Sequence, residues 1–441
     1  MAPLKAVFLA HTAAPSGAEL ATLRLVSAMP AGQTAVLYTE DGPMLRLMAA
    51  RDIETRVVTN SFDSRAMTID KAGIRSLLVG ATGLLRLGWT LGAAVRELDA
   101  TVLVAGSTKA MLMGAVAARR ARVPLVWHVH DRISRDYFGR VLATIIRLLG
   151  WVVARGVIAN SRGTLASLYT WRRAAIVAYP GVEFPAAGES AAGASAPPAT
   201  ESSHPAPDRP ATNLAPPHPA PDPESLRSAT DSESARLAPD SDRRHEPRPQ
   251  EQRPAAETIV AVVGRLAPWK GQDLFLRALA DVKTLPREVF LVGGTFFDEE
   301  PYRAELEVHA TALGLPVTFT GHVDDPESYL RHADILVHCS VLPEPFGQVV
   351  VEGMRAGCAV IATRPGGPEE IVEPGVNGLL VTAGDRAGLT RVLDTLIADQ
   401  ELRIKLADAA RVRARDFDVA ESGRIVTEFL TLLTRKRWRR G

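Results

Sequence analysis

Cysteine is almost missing from this chain of 441 residues; only Cys339 and Cys358 occur. Two cysteines supply neither a disulfide framework nor a cysteine-rich metal cluster. Both stand in apolar, strand-like runs, which predicts buried free thiols and a reducing compartment. Long apolar runs are missing too. The best candidate, 76–95, is interrupted by Arg86, so no transmembrane helix is expected. The N-terminal Met-Ala-Pro-Leu-Lys leads directly into a strand pattern, without the zones of a signal peptide. The expected location is cytoplasmic, or peripheral on the inner face of the cell membrane. No self-similarity at a period of 20–50 residues is present, which excludes a solenoid. Residues 185–256 lack Phe, Trp, Tyr, Ile and Val entirely and hold fifteen of the 31 prolines. Such a stretch buries too little apolar surface to offset its ordering entropy. It reads as a disordered insert between two folded parts, 1–184 and 257–415, with a closing segment at 416–441.

The overall charge of +1 conceals an asymmetry. Residues 1–184 carry 22 Lys/Arg against 12 Asp/Glu, whereas 257–434 carry 17 against 27. A basic first half and an acidic second half suggest that the two meet different partners. The last seven residues add a basic tail around Trp438.

Both folded parts alternate short apolar runs with helical patterns. Strands are expected at 4–10, 34–38, 56–58, 101–104, 125–129, 156–159 and 175–178, and helices at 17–29, 107–120 and 138–154. The second part offers strands at 259–263, 289–292, 317–320, 335–339, 359–362 and 378–381, then helices from 389 to 433. Strand–helix alternation predicts parallel, doubly wound sheets, whose ligands bind beyond the carboxyl ends of the strands.

The chemistry concentrates in a few loops. Residues 344–352 read Glu-Pro-Phe-Gly-Gln-Val-Val-Val-Glu, after an apolar run and before a helix that Gly357 can end. Pro345 and Gly347 keep Glu344 on the loop, and Glu352 lies about a turn and a half along the helix. The helix start exposes backbone N–H groups of Phe346, Gly347 and Gln348, a good seat for a phosphate. Two acids beside a phosphate can accept hydrogen bonds from sugar hydroxyls, so the pattern suits a nucleotide-sugar. Residues 263–271 add a turn at Gly264 and two cations, Arg265 and Lys270, above the sheet. Each charge-assisted hydrogen bond to a diphosphate would be worth roughly 1.5–3 kcal/mol. No Walker motif is present. Pro365-Gly366-Gly367 permits close backbone approach to a ligand. His128 and His130 alternate on one strand, but no third ligand lies within reach by sequence, so zinc is not expected.

Together these pieces resemble the family-4 glycosyltransferases of the GT-B fold. The Glu344–Glu352 spacing is similar to that family's paired-glutamate element. Further likenesses are Gly264-Arg265-Leu266 with Lys270-Gly271, Phe319-Thr320-Gly321, Pro365-Gly366-Gly367, Asn377-Gly378, Ile158-Ala159-Asn160-Ser161 and Pro180-Gly181-Val182. The resemblance implies an α/β fold with two Rossmann-like domains facing a cleft. It implies a retaining, metal-independent sugar transferase with no cofactor beyond its nucleotide-sugar donor. Glu344, His130, Arg265 and Lys270 would be catalytic. Gly17, Gly264, Arg265, Lys270, Phe346, Gly347, Gln348, Val349 and Glu352 would hold the donor. Ser16 stands where the family usually has a first glycine. Asp324-Asp325 is not a metal motif in that fold. The acceptor would be a glycan or a lipid-linked, anionic precursor at the membrane surface, drawn to the basic first domain; Arg119, Arg120, Arg122, Arg132, Arg135, Arg140 and Arg147 and the tail are its candidates. No basic-aromatic module points to nucleic acid. A nucleotide-sugar epimerase of the same fold, or a silent binding subunit, are the alternatives.

Overall fold

The computed structural model describes residues 3–59, 74–184, 253–295 and 299–437. The first domain runs β1 (Ala6–Ala10), α1 (Gly17–Ala28), β2 (Thr34–Tyr38), α2 (Pro43–Ala49), β3 (Glu54–Val57), α3 (Ile74–Glu97) and β4 (Val102–Ala105). It continues through α4 (Thr108–Ala121), β5 (Leu125–Val129), α5 (Arg135–Val153), β6 (Gly156–Ala159), α6 (Arg162–Ala166) and β7 (Ala174–Val177). The strands form one parallel sheet in the order β3-β2-β1-β4-β5-β6-β7. Strands β1, β2, β4, β5 and β6 are buried nearly end to end, as expected where helices cover both faces.

The second domain repeats the plan. It comprises β8 (Ile259–Val263), α7 (Gln272–Ala280), β9 (Glu288–Val292), α8 (Glu300–Ala312), β10 (Val317–Gly321), α9 (Pro326–His332) and β11 (Ile335–Val337). Then follow α10 (Gln348–Ala356), β12 (Ala359–Arg364), α11 (Pro368–Ile371), β13 (Leu379–Thr382), α12 (Arg386–Ala398) and α13 (Gln400–Ala414). Its parallel sheet has the order β10-β9-β8-β11-β12-β13. In each sheet the strand order reverses direction once, at β1/β4 and at β8/β11. The crevice above such a reversal is where open α/β sheets bind ligands.

Three expectations need correction. Residues 253–256 belong to the second domain and not to the insert. Arg253 donates to the His332 carbonyl (2.7 Å) and pairs with Asp334 (3.2 Å), and a single helical turn follows at Ala255–Glu257. The strand expected to reach Cys339 ends at Val337, because the chain bends there to bring Cys339 against the Lys270 loop. The helix expected from 138 starts at Arg135 and is kinked at Gly139, whose φ of 68° is non-helical. The remainder of the expected insert, 185–252, and Trp438 with the end of the basic tail lie outside the described residues. Among the described residues no helix is long and apolar enough to cross a membrane.

Helix α14 (Val419–Arg437) returns to the first domain. Its Val426, Phe429, Leu430 and Leu433 are buried in one apolar cluster with Phe8, Val36, Tyr38 and Ile158. Each such side chain contributes roughly 1.5–3 kcal/mol by leaving water. Gly156 makes room for the helix: a Cβ there would strike Leu433 and Phe429. Between the domains, Val182 pairs with Asp418 through a short parallel bridge.

Candidate active site

The predicted residues lie beyond the carboxyl ends of β1, β5, β8 and β11, three of which border the strand reversals. Gly17 opens α1 after the β1 loop, and His130 directly follows β5. The loop after β8 holds Gly264, Arg265 and Lys270. The loop after β11 holds Glu344 to Gly347, with Gln348, Val349 and Glu352 in α10. Because β8 and β11 are hydrogen-bonded neighbours, their loops share one crevice.

The centre of that crevice is a charge network. Lys270 Nζ lies 2.8 Å from Glu344 Oε2. Ser340 Oγ donates to the same oxygen at 3.0 Å, and His338 Nε2 lies 3.4 Å from it. The backbone N–H of Thr363 points at His338 Nδ1 (3.4 Å), which makes Nδ1 the acceptor and leaves the imidazole proton on Nε2, facing Glu344. Burial works to raise the Glu344 pKa, but Lys270 and His338 outweigh it and hold the carboxyl well below its ordinary range. Glu344 is therefore an ionised acid whose charge is already balanced. Sequence reading placed Glu344 and Lys270 at the site but as separate ligand contacts; the structure joins them as a pair. It also missed His338 and Ser340. Their signal was two polar residues at alternate positions closing an apolar strand run.

Around this network the backbone is open. Gly264 has a φ of 146°, which favours glycine, and a Cβ there would meet nothing within 4 Å. Gly347 caps α10 in the left-handed region (φ 100°) and has no side chain to offer the N–H groups of that helix start. Phe346 and Val349 point their side chains away. The Phe346 ring is buried 5.5 Å from Tyr179 and 5.8 Å from Phe417, and Val349 packs on the same core. Their contribution to a ligand can come only from the backbone. Arg265 is paired with Glu299 at 3.3 Å. Glu352 is paired across the cleft with Arg24 of α1 at 2.7 Å, and Gln348 donates to the Gly17 carbonyl at 3.1 Å.

The opposing wall sets buried histidines beside Asp131, whose pKa is raised by burial and by the nearby Glu344 charge. His130 is buried, and burial pushes its pKa down to about 4. Its ring lies 4.1 Å from that of His128, whose pKa burial also lowers. His130 Nε2 is buried without a hydrogen-bond partner, a costly arrangement for a polar atom. Asn160 holds the strand end in place by donating to the His130 carbonyl (2.7 Å). Its neighbour Ser161 caps α6 and donates across the cleft to the Pro345 carbonyl (2.6 Å). Tyr137 donates to the Pro343 carbonyl (2.8 Å). Glu370 accepts from the backbone of Arg162 and Gly163 and from Tyr179. At the α1 start, Ser16 donates its hydroxyl to Glu19, which explains a serine at that position. Asp325 caps α9 and pairs with Arg331. Among the described residues no three His, Cys, Asp or Glu side chains converge as a metal site. Cys339 and Cys358 are both free and buried.

Two family models match the two halves. Residues 42–180 match the glycosyl transferase 4-like domain, and residues 243–413 match glycosyl transferases group 1. The chain belongs to the family-4 glycosyltransferases. Among relatives of this family, the lipopolysaccharide core biosynthesis glycosyltransferase LpsE of Rhizobium meliloti is 34% identical over 157 residues, 35% of this chain and 44% of that protein. A Campylobacter jejuni α-1,4-N-acetyl-D-galactosaminyltransferase, named for a diphospho-undecaprenol-linked GalNAc acceptor, is 28% identical over 180 residues, 40% and 48% of the two chains. The chain thus spans less than half the length of these curated relatives. Among solved structures, the Anabaena HepE protein in complex with UDP and glucose superposes with a TM-score of 0.70 at 26% identity, covering 97% of this chain and 99% of that one. The two-domain GT-B fold therefore extends over nearly the whole chain.

Proposed function

We propose that this chain is a retaining, metal-independent glycosyltransferase that takes a sugar from a UDP-sugar and passes it to a lipid-linked or other anionic glycan precursor at a membrane surface. The Lys270–Glu344 pair at the head of helix α10 carries this reading. It sets a cation, free N–H groups and an ionised acid in one crevice. UDP is favoured because HepE, similar over nearly the whole chain, was solved with UDP and glucose. The acceptor class follows the Campylobacter relative's name and the basic first domain.

The donor diphosphate sits over Gly264, with Lys270, Arg265 and the α10 start facing its charge. Glu352 accepts from the ribose hydroxyls, and Glu344 from the sugar. The sugar C1–phosphate oxygen bond breaks as the acceptor oxygen approaches from the same face. The acceptor proton passes to the departing phosphate oxygen, so no separate base is required. Lys270 and Arg265 stabilise the charge that grows on the diphosphate, a preorganised electrostatic role. His130 turns its buried, unpartnered Nε2 to the transferred sugar.

The test is a melting-point panel with UDP-, GDP- and ADP-sugars, followed by transfer with the stabilising donor. A bound donor raises the melting point with its excess over Kd. A UDP-sugar is expected to do so and to give a product with the donor's anomeric configuration by NMR. An inverted product overturns retention. Loss of transfer in EDTA, restored by a divalent cation, overturns metal independence. No stabilisation by any nucleotide-sugar overturns the whole reading.

A further inference from the structure

Helix α5 has two faces of different fate. Ala143, Ile146 and Gly150 turn inward, and Gly150 lies so close to Trp127 that a Cβ would collide with the indole. The opposite face is apolar and uncovered. Val141 is 75% exposed, Ile145 47%, Leu148 51% and Val152 57%, and Leu149 is exposed beside them. Their spacing at i, i+4, i+7, i+8 and i+11 makes one stripe on the helix, about 16 Å long at the helical rise. Scattered exposed apolar residues are ordinary, but a continuous stripe of this kind is a contact surface.

The stripe continues past the end of the helix. Trp151 donates its indole N–H to the Trp171 carbonyl (2.9 Å), and the two rings stack at 6.2 Å. Trp171 is 69% exposed. An exposed indole beside an apolar helix face suits the boundary between water and acyl chains, where its apolar ring and polar N–H are both satisfied.

Charge selects the occupant. From residue 137 to 182 the chain holds six arginines and no aspartate or glutamate. Arg140 flanks the stripe by helical spacing, Arg155 follows its end, and Arg172 adjoins Trp171; all three are exposed. Arg147 is the exception, turned inward to the Ile133 carbonyl (3.0 Å). Asp136, the one acid of α5, is paired with Arg135 at 3.6 Å. An apolar stripe flanked by exposed arginines fits an anionic lipid surface, where the side chains enter the acyl boundary and the guanidinium groups stay at the headgroups.

We propose that the exposed face of α5, with Trp171, is the surface by which this protein docks on an anionic bilayer. This rests on the membrane-surface part of the proposed function and assigns it to α5 instead of the C-terminal tail. The placement has a consequence for the acceptor. The N-terminal end of α5 adjoins the cleft, where Tyr137 bonds to Pro343, one residue before Glu344. A bilayer against α5 would put the cleft mouth at the headgroup level, within reach of a lipid-linked acceptor.

The experiment is vesicle flotation of the full chain at physiological salt, with no donor or acceptor present. Vesicles contain phosphatidylglycerol and phosphatidylcholine, or phosphatidylcholine alone. Wild type should float with the anionic vesicles and much less with the neutral ones, and tryptophan emission should shift to the blue. The double substitution I145E/L148E lies on an exposed face and should leave the melting point in place. It is expected to lower the bound fraction by roughly tenfold or more, since it removes apolar insertion and adds like charge to the lipid. A second variant, Trp171→Ser, should abolish most of the blue shift. The proposal falls if wild type stays in solution, or if I145E/L148E floats like wild type. It also falls if sedimentation velocity shows a wild-type dimer that this substitution dissociates, because the face then joins two copies of the chain. Flotation is read without any sugar transfer, so failure of the glycosyltransferase reading leaves a separate signature.

Discussion

The two domains share an architecture and treat charge in opposite ways. In the C-terminal domain the cations of the cleft are each held by a carboxylate, Lys270 by Glu344 and Arg265 by Glu299. In the N-terminal domain, the stretch from 137 to 182 has arginines with no acid among them, and the cleft wall sets buried, neutral His128 and His130 beside Asp131, whose pKa is raised by burial and by Glu344. The contrast teaches where the work is done. A domain that grips a diphosphate must store cations inside its cleft, and stored cations need partners until a ligand arrives. A domain that faces an anionic surface can leave its cations outside, where water solvates them.

Lys270→Ala should break this contrast most severely. It leaves the Glu344 carboxylate in a buried site without its cation, which costs about 3–5 kcal/mol, and on the proposed mechanism it removes a group that would stabilise the leaving diphosphate. Transfer at saturating donor should fall by roughly 100- to 1,000-fold. The paired variant Lys270→Met, Glu344→Gln should recover much of the melting temperature and none of the rate. Recovery of both would move the pair from chemistry to structure.

Gly271→Ala tests how the loop is held. Gly271 sits at φ 73°, and a Cβ there would run into the Cys339 carbonyl oxygen. The expected loss is about 2–4 kcal/mol in denaturant unfolding. A neutral result would show that the Lys270 loop is free to shift, and the geometry of the whole network would lose its support.

His130 sharpens the neutral side. Between its folded value of about 4 and the ordinary 6.5, the unfolded chain binds a proton that the folded chain does not. Stability must therefore fall as the pH drops through that window, by up to about 1.4 kcal/mol per pH unit from this residue. His130→Gln should lose roughly 1–2 kcal/mol less than wild type between pH 7 and pH 5. Equal losses would mean that His130 is not kept neutral by burial.

The smallest effect belongs to the contact that joins the two domains over the donor site. Arg24 and Glu352 are partly exposed, so their pair is worth at most about 1 kcal/mol. If Glu352 serves the ribose, Arg24 competes with the donor for it. Arg24→Ala should tighten donor binding by up to roughly fivefold by calorimetry, with little change in melting temperature. Weaker binding would make Arg24 a donor contact in its own right.

Much of this molecule was legible beforehand, for a physical reason. Buried parallel strands read as continuous apolar runs, and strands such as 125–129, 156–159 and 259–263 stand where those runs predict. The glycines at 264, 347 and 357 announced turns that only glycine makes easily. Partnerships were not legible. Lys270 and Glu344 are 74 residues apart, and Arg24 and Glu352 are 328 apart. Spacing along the chain carries no information at such distances; only the packed sheets bring these groups together. The end of β11 is not legible because Cys339 is as apolar as the strand before it, while its thiol leaves the strand pattern to donate to the Lys270 carbonyl of the neighbouring loop. Arg253 reads as part of the insert because a single arginine in a proline-rich stretch gives no sign of a partner like Asp334.

Helix α14 ties residues 419–437 into the first sheet. Phe8, Tyr38 and their neighbours stay wet on one side until residues 419–437 arrive to cover them. A ribosome must therefore add residues 419–437 before strands β1 and β2, made far earlier, gain their final partner. The opening half spends its synthesis as an unfinished surface, and early release would leave it prone to sticking to whatever oily face it meets first.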